Sequence, residues 1–238
     1  SPDGKYLATA SEDGNGRVWD AETGEVAFGL AGHTAAVLDI AYSTDGELIA
    51  TTSLDGSTRI WEATNGIQMY QLSGVASQWA ALAWAPIGRR LITTGGVSPR
   101  VWDLSETAVR LPTHADAAID ARWSPDQKYI ADTSFDRTAH IMDARTGQVL
   151  QVLQQPDLIQ YFAWSPDSKH IVTAGADGVS RVWDVETGQL VIGKKSPTDN
   201  WPVGVGWSPD GTRIASNYYP NSTIDVWNPV TGETLLTI

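Results

Sequence analysis

Four histidines stand among 28 acidic residues, and an imidazole beside a carboxylate is the usual means of moving a proton near neutral pH. His33 with Asp55 could pass for a catalytic pair. His140 and His170 have no second histidine or carboxylate at metal-ligand spacing, which argues against zinc. The chain has no cysteine, so thiolate catalysis, disulfides and Cys-ligated metal are excluded. The acidic stretch "SEDGNG" lacks the alternating Asp/Asn series and closing Glu of a calcium loop. "GKKS" at Gly193 lacks the upstream glycine of a phosphate loop and reads as a solvated loop. Asn221-Ser222-Thr223 matches a glycosylation acceptor, a three-residue match that chance explains. Eleven tryptophans invite a ligand-binding reading that the organisation of the chain must accommodate.

Bulk properties bound the partners. A formal net charge of −12 disfavours nucleic acid and anionic membranes, because phosphate binding draws its affinity from Lys and Arg. No apolar run approaches the ~18–20 residues of a membrane helix. At 238 residues with 42% hydrophobic content, the chain can bury a sizeable core.

The elements that position these residues repeat. A Ser-Pro-Asp-type turn recurs at Ser1, Ser43, Ala85, Ser124, Ser165 and Ser208, at intervals of 39 to 43 residues. A second marker keeps step: Trp19-Asp20, Trp61-Glu62, Trp102-Asp103, Met142-Asp143, Trp183-Asp184 and Trp227-Asn228. A "TG" or "NG" turn follows it in five copies, as in Glu22-Thr23-Gly24. Each unit reads as four short strands; in the second these are "AVLDIAY", "LIATTS", "TRIWEA" and "IQMYQL". No segment sustains a 3.6-residue apolar period, so no helix is expected.

These markers closely resemble the WD-repeat β-propeller family over the whole chain. The carrying residues are the SPDG-like turns, "RVWD" at Arg17 and Arg181, "RIWE" at Arg59, and Gly32-His33. The resemblance implies an all-β propeller, one domain over 1–238, with six blades of four antiparallel strands. The first blade lacks its innermost strand, giving 23 strands. The chain then reads as an N-terminally truncated piece of a longer protein with a larger, seven-bladed ring. It further implies a non-enzymatic scaffold or sensor that binds a protein or peptide without a cofactor, in a bacterial-style signalling protein expected in the cytoplasm. Its oligomeric state is left open. The rival is a small-ligand or enzyme-associated propeller of the TolB-like or peptidase-associated type, whose repeats usually lack the Trp-Asp marker.

In the family a His, a Ser/Thr, an Asp and the Trp form a hydrogen-bonded structural tetrad. The second blade supplies His33, Ser53 (or Thr51), Asp55 and Trp61, so His33–Asp55 is read as structural rather than catalytic. In the fourth, Met142 replaces the Trp; His140 holds the place of the "RVWD" arginine. Nine of the eleven tryptophans occupy repeat positions and are assigned to packing. The remaining aromatics at loop ends mark an interface on the top face: Trp201, Tyr161, Tyr218, Tyr219, Phe135 and Trp79. Trp79 matches core-like positions and is the weaker candidate. Arg89, Arg90, Arg100, Arg110 and Arg122 form a modest basic cluster, read as charged rim rather than as a docking patch.

Overall fold

The computed structural model describes residues 1–74, 77–95, 99–104, 109–110, 114–196, 201–219 and 223–238, with the backbone alone at 109, 110 and 201. Among them lie 23 strands and no helix. The strands form six sheets, one of three strands and five of four, which is the propeller-type arrangement the repeats imply. No helix among these residues is long and apolar enough to cross a membrane.

The contacts divide the chain into two compact units, Ser1–Trp123 and Ser124–Ile238. The first unit opens with β1 (Tyr6–Ala10), β2 (Asn15–Asp20) and β3 (Val26–Ala31). The second sheet is β4 (Val37–Tyr42), β5 (Leu48–Ser53), β6 (Ser57–Glu62) and β7 (Gln68–Ser73). The third is β8 (Leu82–Trp84), β9 (Arg90–Thr93), β10 (Arg100–Asp103) and β11 (Val109–Arg110), and β12 (Ala118–Trp123) ends the unit. The second unit contains β13 (Tyr129–Ser134), β14 (Thr138–Asp143) and β15 (Val149–Gln154). The fifth sheet follows as β16 (Ile159–Trp164), β17 (His170–Gly175), β18 (Val179–Asp184) and β19 (Leu190–Lys195). The sixth is β20 (Trp201–Trp207), β21 (Ile214–Tyr219), β22 (Thr223–Trp227) and β23 (Thr234–Thr237).

Burial follows strand position. Every residue of β5 is buried, whereas β7 is exposed at all but one. Sheets pack face to face through the repeated apolar positions. Val18, Leu30, Ile49 and Trp61 join the first two sheets, and Val172, Val182, Ile214 and Trp227 join the last two. The repeat tryptophans thus lie at sheet–sheet contacts, as their phasing implies.

The turn residues explain themselves chemically. The Ser43 hydroxyl donates to Asp45 at 2.5 Å and accepts the Leu48 N–H at 2.9 Å, while Asp45 accepts the Glu47 N–H at 3.0 Å. The same bonds recur at Ser124/Asp126, Ser165/Asp167 and Ser208/Asp210. The acid of the Trp-Asp marker is spent likewise: Asp20 accepts the Glu22 and Thr23 N–H groups, and Asp143 those of Arg145 and Thr146. Many of the carboxylates are therefore turn-builders rather than reagents.

The fourth position of the Ser-Pro-Asp turn takes a left-handed backbone, with φ of 74° at Gly46 and 70° at Gly211, but also 64° at Gln127. A side chain there costs about 1–2 kcal/mol, part of which Gly returns as greater unfolded-state entropy. Gln127→Gly is expected to raise stability by about 0.5–1 kcal/mol, read as a higher urea midpoint; an unchanged or lower midpoint refutes it.

One expectation of the turn assignment fails. Gly193, Lys194 and Lys195 belong to β19, with Gly193 opposite Arg181, so the "GKKS" stretch begins as strand rather than loop. Residues 197–200 and Asn221-Ser222 lie outside the described residues.

Candidate functional site

The second sheet holds a complete polar chain. The Trp61 indole N–H donates to Thr51 Oγ1 at 2.9 Å, Thr51 Oγ1 lies 2.8 Å from His33 Nε2, and His33 Nδ1 lies 2.8 Å from Asp55 Oδ2. An indole only donates, so Thr51 accepts from Trp61, and a carboxylate only accepts, so His33 Nδ1 donates to Asp55. A neutral imidazole then accepts at Nε2 from the Thr51 hydroxyl. Burial pushes the His33 pKa down, outweighing the Asp55 bond that would raise it. Burial alone would raise Asp55, but the Ser57 hydroxyl, the Thr34 N–H and His33 together hold it far below the usual carboxylate range.

The hydroxyl in this chain is Thr51, not Ser53, which corrects the sequence assignment. The reason is register. Trp61 pairs with Ile49, so Thr51 is the same-face diagonal neighbour within reach, while Ser53 lies two residues farther along. Ser53 instead donates to the Ala35 carbonyl at 3.0 Å and accepts the Asp55 N–H at 3.1 Å.

Hydroxyl, imidazole and carboxylate in line have the connectivity of a nucleophile triad. Here the hydroxyl is unreachable: Thr51 is 0% exposed and the His33 side chain is likewise fully buried. The arrangement ties β4's entry, β5 and β6 together instead of meeting a substrate.

The indole-to-hydroxyl bond recurs as Trp19–Thr9, Trp102–Thr93, Trp183–Thr173 and Trp227–Ser216, all at 2.9–3.0 Å. Beyond Met142 for Trp, the fourth copy carries a second change: Asp132 occupies the hydroxyl position and accepts the His140 N–H at 3.1 Å. Contrary to the expectation from spacing, the fold also brings ligand atoms of His114, Asp132 and His140, all buried, within 4.8 Å of one another.

The aromatic residues assigned to an interface separate into distinct groups. Tyr161 is 41% exposed and Tyr219 59% exposed. Tyr218 is fully buried, which overturns its assignment to the surface. It is also in strand, not turn: β21 runs through Tyr219 and alternates buried and exposed, so adjacent tyrosines must face opposite ways. Phe135 lies in the β13–β14 turn and is half-buried. Trp79, expected to pack like Val37 and Ile159, sits in a turn before the short strand β8 and is 45% exposed. Trp201 opens β20 opposite Tyr219; its side chain lies outside the described residues.

The arginine cluster is largely committed. Arg89 pairs with Glu47, Arg122 pairs with Asp120 at 2.9 Å, and Arg90 lies 4.7 Å over the Trp123 ring. Arg100 donates to the Ser73 carbonyl at 2.5 Å. These contacts fit a charged rim; the Arg110 side chain lies outside the described residues.

Four-stranded sheets, phased Trp-Asp markers and a repeated indole–hydroxyl bond define a WD-repeat type of β-propeller. The family model described as the IFT122 first beta-propeller matches residues 1–238, and the chain belongs to that family. Among curated proteins, no relative matches the chain.

Proposed function

We propose that this propeller is a non-enzymatic protein-interaction module that takes a protein or peptide at the ends of its sheets opposite the Ser-Pro-Asp turns. The observation that carries the reading is Tyr219, well exposed at the end of β21 where Trp201 pairs with it, with Tyr161 exposed on β16 of the same unit. Neither ring is engaged in the sheet–sheet packing that absorbs the repeat aromatics, and large exposed aromatics are the residues that anchor interfaces. The family assignment supports the same reading, and the burial of Thr51 and His33 removes the best candidate for catalysis.

Tyr161→Ala combined with Tyr219→Ala is expected to weaken capture of binding proteins from a source-cell lysate by at least about tenfold, since interface anchors are worth ~2 kcal/mol or more. The urea midpoint should stay within experimental error. Lost stability with undiminished capture would show these rings to be core and would overturn the assignment.

A further inference from the structure

A cavity of about 230 Å³ lies between the fifth and sixth sheets of the second unit, at the end that carries the Ser-Pro-Asp turns. It is smaller than the ~300–1,000 Å³ typical of a small-molecule site and suits a side chain. Val182 and the Trp207 indole form part of its lining, with Val191, Pro229 and Val230. Val191 is 46% and Val230 77% exposed, so the apolar lining reaches solvent.

Trp207 distinguishes this place from its counterparts. In the first unit, Trp84 donates its indole N–H to the Ala41 carbonyl of the preceding sheet at 3.1 Å, and Trp123 donates to Ala83 at 3.3 Å. The Trp207 N–H is buried and has no hydrogen-bond partner among the described residues. Its strand carries Gly204 and Gly206, where β4, β12 and β16 have no glycine; the register shift near its start is shared with β4 and β16. A buried, unsatisfied donor costs about 1–3 kcal/mol, so the seam beside this cavity lacks a bond that those at Trp84 and Trp123 make.

The electrostatics specify the rest of the occupant. Asp167 and Asp210 both line the cavity. Burial would raise Asp167, but the Ser165 hydroxyl and the Lys169 N–H bring it below the usual carboxylate range, and the Ser208 hydroxyl and Thr212 N–H hold Asp210 down to about 2. Both are therefore anionic at neutral pH. Each uses Oδ1 for its turn; Arg213 approaches Asp210 Oδ2 only to 3.9 Å. The ring of His170 lies against Trp207, 6.3 Å between centroids.

From the cavity, its exposed apolar lining and the two carboxylates, we infer that this groove binds an extended peptide of a partner protein that inserts a lysine or arginine side chain beside an apolar one. The stem of the basic residue lies on the valines and the indole, and its charge reaches Asp167 and Asp210. The inference rests on the reading of the chain as a protein-interaction propeller and adds a second surface, at the other end of the same sheets from Tyr161 and Tyr219.

The test uses labelled nonapeptides with a central Arg, Lys or Glu, flanked by Leu or by Ser, titrated against the whole chain. Arg–Leu and Lys–Leu peptides should bind at least about tenfold more tightly than the Glu–Leu peptide, and high salt should erode the difference. Asp167→Asn with Asp210→Asn keeps the Oδ1 acceptors of the turns and should weaken the basic peptides at least about fivefold. Val191→Ser with Val230→Ser removes exposed apolar lining and should weaken them about threefold or more; thermal unfolding of each variant reports whether it folds, and the paired Asn variant decides if the paired Ser variant does not. Tyr161→Ala with Tyr219→Ala should leave this binding unchanged. The inference is overturned by equal binding of acidic and basic peptides, by indifference to the paired Asn substitutions, by binding of arginine amide as tight as that of the peptides, or by no peptide binding at millimolar concentration. Loss of peptide binding only in the Tyr161/Tyr219 variant also overturns it, while leaving the proposed function standing.

Discussion

Trp61→Ala lowers the unfolding free energy by about 3–5 kcal/mol, the range for deleting a buried tryptophan. The Trp61 ring is 2% exposed and packs with Val18, Leu30 and Ile49 where the first two sheets meet. Burying an aromatic ring of ~200 Å² at ~25 cal/mol per Å² contributes at most about 5 kcal/mol, and the cavity left behind adds to the loss. The substitution also removes the indole donor to Thr51 at one end of the Thr51–His33–Asp55 chain. Urea denaturation of both proteins measures the difference. A loss below about 1 kcal/mol would mean that the seam closes over the gap and that the tryptophan is not what joins the sheets.

Asp55→Ala costs about 3 kcal/mol and removes one share of the acid sensitivity of the fold, beside the shares of the turn aspartates. Asp55 accepts from His33, from the Thr34 N–H at 3.0 Å, and from the Ser57 hydroxyl and N–H at 2.7 and 2.8 Å. Its side chain is 8% exposed, so several donors lose their acceptor with little access to water. The pH dependence follows from the direction of the two shifts. His33 has a folded pKa below its unfolded value, so its contribution is complete above about pH 6.5 and declines as the pH falls. Asp55 is depressed too, so its contribution is present above about pH 4 and is lost on further acidification toward its lowered folded pKa. Both act in the same sense: stability falls with falling pH. His33→Gln should flatten the profile as the pH falls below about 6.5, and Asp55→Ala below about pH 4. Urea midpoints across that range check both; a profile as steep in the variants as in the parent chain would place the acid-sensitive groups elsewhere.

Much of the architecture is local, and local features can be read in a linear chain. The Ser-x-Asp turn closes through bonds spanning two to five residues, and "LIATTS" forms β5 with the expected bounds because turns bracket it on both sides. The phasing of the tryptophans placed them at sheet contacts for the same reason: a repeat of constant length puts equivalent residues at equivalent points. His33, Asp55 and Trp61 were identifiable as partners. Which hydroxyl joins them was not, because Thr51 and Ser53 share a face of β5 and only the pairing of Trp61 with Ile49 selects between them. The alternation of Tyr218 and Tyr219 was in principle legible, once β21 is known to extend through both. Trp79 required the tertiary structure, since a match to buried positions says nothing when β8 begins late and leaves that position in a turn. The cavity beside Trp207 is of the same kind. Its indole occupies a repeat position like Trp84 and Trp123, and sequence alone treats the three alike. Whether a carbonyl lies within 3.3 Å of each N–H is decided by how two sheets meet, across some forty residues of chain, and that distance is a property of the packing alone.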